Sequence, residues 1–471
     1  MSTILAILFL SILFLPFLAG ASLWIYPRHA THRRIRHVWV GLVSLSLMLS
    51  ILPGTVEFQF SNPLIPNETM GLTASHSGFQ ILFILALTAL LLSFSTQSIK
   101  NQKHSTIAFW VYGFAVIVFT ASDFFTRFLG LEFAAVLVSS FCLFSTQTKK
   151  SRWSQFINTF LTLRLAGFGM LLFIINILNT TGTLQIDAAL QNIHLKVTNL
   201  LWLISSVSLV ILIKTATVPL KQWVQSEKNN SNWFFCAEII TASFGYYLLY
   251  RIQPLLPPSP FITALIALLV IGLESLSLFQ RKITAIDPFA HFQVSLLPTC
   301  LILLAFNSGT LLFPLLLVFL TLKTIVFTVD GIPHTPQWLK SSAIIAFLFL
   351  PVIFIATALI KFPSPHPIPL LASLLVMGLT IAVSLIYFLQ NAPNQVKVRQ
   401  GPDLTKQPII NQIGQQLNQI DKLFVKLPQT SSQVISKFSK AYDRLHTGSL
   451  ERYLKWTVVL LAAVLIFVIF F

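Results

Sequence analysis

Six ionisable side chains fall inside long apolar runs of this sequence: Glu132, Arg164, Lys214, Glu238, Glu274 and Lys323. A charge at the centre of a bilayer-length segment costs about 2.5–3.5 kcal/mol on the insertion scale, so each needs a physical reason. A buried lysine beside a carboxylate is a switchable proton site. Burial disfavours an ammonium, a neighbouring anion favours it, and moving the anion loads or releases the proton. The competing reading is a pair that only holds helices together. For an isolated Arg or Glu near a span end the two readings are level, and Arg164 is assigned a structural charge. Glu132 and Lys214 lie deep in their runs, where proton chemistry is the better account, with Lys323, Glu238 and Glu274 as further candidates. Pro219 follows Lys214 by five residues. Proline removes an N–H and frees a carbonyl, so the helix should kink or break beside the lysine, a device of transporters at midplane. Pro351, in Leu348-Phe349-Leu350-Pro351, hints weakly at a repeat of that break.

Other chemistry finds no support. No Gly-rich phosphate loop follows a strand, and Cys142, Cys236 and Cys300 each sit alone in an apolar run. No catalytic residue, cofactor or metal is therefore expected.

The elements that must carry these charges follow from composition. The chain has 471 residues, 55% hydrophobic and 10% charged, with a mean hydropathy of +0.79. A soluble protein carries about 25% charge, so the solvent here is a bilayer. Windows of about 20 apolar residues, enough to cross about 30 Å of hydrocarbon, recur along the chain. Fourteen lie near 3–26, 38–54, 77–97, 107–122, 124–146, 156–178, 198–220, 233–250, 261–279, 290–306, 309–328, 341–360, 367–390 and 454–471. The first has no basic flank before it and no small-residue cleavage site, so it is read as a retained span.

The net charge of +17 would suggest nucleic acid in a soluble protein. Alternating the loops from an outside N-terminus instead puts 24 of the 31 Lys and Arg in cytoplasmic segments. Arg127, Lys196, Arg251 and Lys361 fall on the outer side. That split is a positive-inside signal and removes the nucleic-acid reading.

Residues 391–453 break the rhythm. Ile409, Ile413, Leu417, Ile420, Phe424 and Leu427 recur at intervals of three and four, as do Val434, Phe438, Tyr442 and Leu445 after Pro428. This predicts an amphipathic lateral helix region along the cytoplasmic surface, ahead of the last span. At about 45 helical residues, or roughly 70 Å, it reaches one neighbour and not several. The expected fold is all-α and polytopic, with about 14 transmembrane helices, some broken. It divides into N-terminal helices (1–106), a translocation core (107–390), the lateral region (391–453) and a terminal anchor (454–471).

At the charged positions the chain resembles the antiporter-like subunits of respiratory complex I and the related Mrp antiporters. Lys214-Thr215-Ala216-Thr217-Val218-Pro219-Leu220-Lys221-Gln222-Trp223 is similar to the family's G-K-S-A-x-x-P-L-H-x-W, whose lysine is the central protonatable group. The run from Asp123 to Glu132 resembles L-x-x-F-x-G-W-E, whose glutamate pairs with that lysine. Arg164 to Gly169, followed by Thr181-Gly182-Thr183-Leu184, resembles the N-R-x-G-D-F-G and T-G-T-L run of the distal subunit, called L or 5. Leu445 to Tyr453 is similar to that member's R-x-x-Q-T-G-x-x-x-x-Y before its anchoring span, and Lys323 matches the lysine of F-F-K-A-L-L-F.

The resemblance implies a proton-translocating subunit of a complex I-like NADH–quinone oxidoreductase or related hydrogenase. It would sit in the cell (inner) membrane among other membrane subunits, with protons (or Na⁺) as cargo and no redox centre of its own. Two departures count against a full match. Span 8 contains no histidine, so a relay between Lys214 and Lys323 would need Glu238, hydroxyls or water. The second-half helix break is reduced to Pro351 without a following lysine. The alternatives are the membrane subunit of a proton-coupled inorganic-carbon transporter, a cation/proton antiporter subunit, or a scaffold that has lost conduction.

Overall fold

Long apolar sequence leaves the backbone one economical way to satisfy its polar groups, which is the helix, and an α-helix persists even through Pro16. The computed structural model describes residues 2–25, 32–52, 56–62, 68–94, 102–144, 149–191, 197–215, 232–255, 297, 299–301, 303–304, 311–331 and 352–356. The chain divides into a unit of Met1–Asp421 and one of Lys422–Phe471, and all described residues belong to the first.

Ten helices carry the labels used below: α1 (Ser2–Ile25), α2 (His32–Ile51), α3 (His76–Leu92), α4 (Gln102–Thr120), α5 (Phe124–Ser140), α6 (Lys149–Thr181), the short α7 (Ile186–Gln191), α8 (Val197–Lys214), α9 (Asn232–Arg251) and α10 (Leu312–Gly331). A 3₁₀ turn, Phe141–Phe144, extends α5. Five segments among the described residues are long and apolar enough to cross a membrane: Thr3–Ile25, Arg34–Ile51, Lys103–Thr120, Phe124–Phe144 and Gln155–Thr181. Shorter apolar helices occupy His76–Leu92, Trp202–Lys214 and Leu312–Thr321. The windows near 261–279 and 367–390, the lateral region and the last span lie outside the described residues, as do Glu274, Pro219 and Pro351.

The fold class is the expected one, a helical membrane bundle, with one addition. Between α2 and α3 the chain forms a hairpin of β1 (Glu57–Ser61) and β2 (Thr69–Thr73), antiparallel from Glu57 opposite Thr73 to Ser61 opposite Thr69. Leu72 in turn bridges to Ala121, and Asp123 bridges to Gln185. The hairpin, the α4–α5 corner and the stretch after α6 thus form a small pleated layer across one end of the helices.

α1 packs on α2 and α4, α2 on α3, α4 on α5 and α9, α6 on α5 and α8, and α9 on α8 and α10. The interior is aromatic. Trp39 stacks on Phe109 with ring centres 4.5 Å apart and meets Tyr112 edge-on at 5.5 Å, and the Tyr112 hydroxyl donates to Leu82 O at 3.1 Å. Offset and edge-on ring pairs of this kind add about 0.5–1.5 kcal/mol beyond the area they bury.

Candidate functional site

The site begins with how α5 starts. Asp123 sits in extended conformation ahead of the apolar run and is fully buried. Its Oδ1 accepts the Thr126 N–H at 2.7 Å, which caps the helix, while Oδ2 accepts the Gly71 N–H of β2 at 2.8 Å. One carboxylate therefore fixes both the first turn of α5 and the hairpin above it.

Arg127 corrects the sequence reading. Expected as an outer-loop cation, it lies in the first turn of α5 and is buried, 2% exposed. Its Nε donates to Val118 O and its Nη2 to Ala121 O, both at 3.2 Å, and its guanidinium stacks over the Tyr247 ring at 5.3 Å. The C-terminal carbonyls of α4 lack helical partners and carry partial negative charge, so a cation there is stabilised rather than expelled. Nearby, Arg251 at the end of α9 pairs with Asp187 of α7 at 2.7 Å.

Farther along α5 is Glu132, buried, with Arg164 of α6 as its ion-pair partner through Nη1 and Oε2. The two side chains are 10% and 23% exposed. Arg164 also stacks over Phe160 one turn back, at 4.9 Å. The other carboxylate oxygen, Oε1, is buried and has no hydrogen-bond partner among the described residues. Space for the carboxylate comes from Gly167, one turn beyond Arg164 on the same face of α6, where a Cβ would overlap the Glu132 head group. Arg164, expected as a structural charge, is the ion-pair partner of Glu132 and joins α6 to α5. The resemblance had implied a Glu132–Lys214 pair; the pair in this structure is Glu132–Arg164.

Lys214 is buried, 1% exposed, as the last residue of α8. A cation at a helix C-terminus sits at the favourable end of the macrodipole. The α8–α9 contact is close at this level. A Cβ on Gly245 would lie 3.1 Å from Lys214 Cβ and 2.8 Å from Thr215 Cγ2. α8 packs on α6, the helix that carries Arg164.

Glu238 is half-buried on α9, seven residues and about 10 Å of helix from Gly245, on the face that meets α8. Lys323 lies midway along α10, and its side chain falls outside the described residues. The structure therefore brings together Glu132 and Arg164, and packs α6, which carries Arg164, against α8, which ends at Lys214. Asp123 and Arg127 were missed as functional neighbours, although an Asp directly before an apolar run is a readable N-cap signal.

Residues 121–286 match the family described as NADH:quinone oxidoreductase/Mrp antiporter, transmembrane. The matched segment is about a third of the chain. It contains Glu132, Arg164, Lys214, Glu238 and Glu274, and the antiporter-like segment is thus the one that holds the described charge cluster. The fold extends further. A chain of the membrane-bound sulfane sulfur reductase, an archaeal respiratory membrane complex, superposes with a TM-score of 0.63 at 14% identity, over 92% of this chain and 97% of that chain. A chain of respiratory complex I from Thermus thermophilus gives 0.63 at 16%, over 81% and 88%. A chain of the Mrp complex from Dietzia sp. gives 0.61 at 14%, over 82% and 80%. No curated protein matches by sequence. At such identities these likenesses speak for the fold.

Proposed function

We propose that the chain is a proton-translocating membrane subunit, of the subunit L type, in a complex I-like NADH–quinone oxidoreductase or a related respiratory assembly of the cell (inner) membrane. The observation that carries this reading is the buried Glu132–Arg164 pair on helices α5 and α6, with α6 packed against α8, which ends at the buried Lys214. Arg164 keeps its charge at any physiological pH, so it is not the proton carrier. It competes with Lys214 for the one carboxylate. While Glu132 is held by Arg164, the lysine has no anion and gives up its proton; when the carboxylate turns away from Arg164, the lysine takes one up. The unpartnered Oε1 is the atom through which Glu132 would engage a second cation or a water. Work done elsewhere in an assembly enters by shifting α6 relative to α5, which changes the partner of Glu132.

The test is proton flux into vesicles reconstituted with the full chain and its co-purifying partners. Lys214→Ala and Glu132→Gln should each bring flux down to the leak of empty vesicles. Flux unchanged by both substitutions leaves only the scaffold reading. A second reading, a cation/proton antiporter subunit, is favoured by the Mrp half of the family match. Flux that depends on a Na⁺ gradient, with Mrp-type partners and no quinone reductase co-purifying, decides for it.

A further inference from the structure

α1, α2 and the start of α4 hold a feature that the Glu132 pair does not explain. A cavity of about 350 Å³ opens between α1, α2 and α4, lined by Ala19, Ser22 and Leu23 of α1, Arg34 and Val38 of α2, and Phe109 of α4. This is near the small end of the about 300–1,000 Å³ range of ligand pockets. Its walls are apolar, and its charged group is Arg34. The Ser22 hydroxyl is turned to its own helix, donating to Ala19 O at 2.8 Å.

The surroundings fix the level of this cavity. At the same end, Trp24 is half exposed and lies 6.0 Å from Trp110 and 6.4 Å from Phe144 between ring centres. Arg36 stacks over Phe94 at 4.4 Å and donates to Ser93 O, and Lys103 stands over Phe144 at 5.0 Å. Tryptophans with cations above them mark the boundary between hydrocarbon and head groups. The charge at this boundary is one-sided. The connecting sequences 26–37, 95–106 and 145–155 contain nine Lys and Arg and no Asp or Glu. A slot that is apolar below and cationic at its mouth, at head-group level, is complementary to one kind of molecule.

We infer that this cavity binds an anionic phospholipid, with the phosphate head group at Arg34 and an acyl chain between α1 and α2. The inference is independent of whether the Glu132 cluster conducts. Residence of a lipid here packs the weakly buried α1 against the rest of the bundle, since its outer face carries Ile4, Ile7, Phe14 and Leu18, all well exposed.

The experiment is native mass spectrometry of the full-length protein in detergent, titrated with phosphatidylglycerol or phosphatidylcholine. The wild-type chain should retain phosphatidylglycerol in preference to phosphatidylcholine. Arg34→Gln, on an exposed side chain, should weaken phosphatidylglycerol retention about fivefold, the factor that one cation contributes near an anionic surface, and leave phosphatidylcholine unaffected. Ser22→Phe, which obstructs the mouth while keeping Arg34, should abolish retention of either lipid at this site. Equal retention of the two lipids by the wild type, or retention of phosphatidylglycerol unchanged by both substitutions, overturns the inference. So does the finding that a neighbouring subunit's helix, and no lipid, protects Ser22 and Arg34 in the assembled complex.

Discussion

At the scale of single residues, the geometry around Glu132 depends on an atom that is missing. Gly167 has no Cβ, and the Glu132 carboxylate occupies that room. Gly167→Ala should drive the carboxylate off Arg164 or push α5 from α6, at about 1–3 kcal/mol, the usual cost of one surplus methyl in a packed interior. The measurement is thermal unfolding in detergent beside proton flux; a substituted protein with wild-type stability and flux would show that the pair tolerates the methyl. Glu132 and Lys214 were legible in the sequence because a charge in hydrocarbon is costly and therefore conspicuous. The partner of Glu132 was less so. Arg164 and Lys214 look alike as buried cations in a one-dimensional string, and only the α5–α6 packing decides which of them the carboxylate meets.

At the scale of elements, Asp123 connects two structures that share no sequence neighbourhood. Losing an N-cap side chain costs about 1 kcal/mol, and here the same substitution also leaves the buried Gly71 N–H without its acceptor. Asp123→Ala should therefore destabilise by more than about 1 kcal/mol, and Asp123→Asn, which keeps an acceptor, by less. Hydrogen exchange offers the check, with faster exchange expected in both β2 and the first turn of α5. Acceleration in α5 alone would mean that the hairpin is held by other contacts. The hairpin was readable in principle, since Val56-Glu57-Phe58-Gln59-Phe60 alternates with period two. It was overlooked because the dominant 20-residue apolar windows on either side make the stretch between them look like a plain connection. The 33-residue α6 shows the opposite limit. Its hydrophobic window covers Gln155–Thr181, while the helix itself begins at Lys149 with no break in propensity to mark the border.

For the molecule as a whole, alternation of the loops makes a claim that the structure bears on from within. The segments after α2, α4, α6 and α9 should share one side, and they meet: Ser122 N donates to Gly71 O at 3.0 Å, Glu68 accepts the Leu184 N–H at 3.0 Å, and Arg251 reaches Asp187. Which side this is follows from the cations alone, so it is a prediction. The three native cysteines are buried, so introduced ones can be read against a silent background. Gln59→Cys, on the exposed hairpin, should react with an impermeant maleimide added outside intact cells, and Lys103→Cys only once the membrane is opened. The reverse pattern would invert the orientation and with it the sense of any proton movement.

The pleated layer at that end has a mechanical consequence. Backbone bonds tie the hairpin to the α4–α5 corner and tie that corner to the segment after α6, with Phe124 N donating to Leu184 O and Ile186 N to Ser122 O. Rods fastened together at one end can only fan apart at the other. Any tilt of α5 against α6 is then near zero at the fastening and grows with distance from it, so Glu132, about 13 Å of helix below Asp123, sits where a small rotation already becomes a displacement large enough to change its partner.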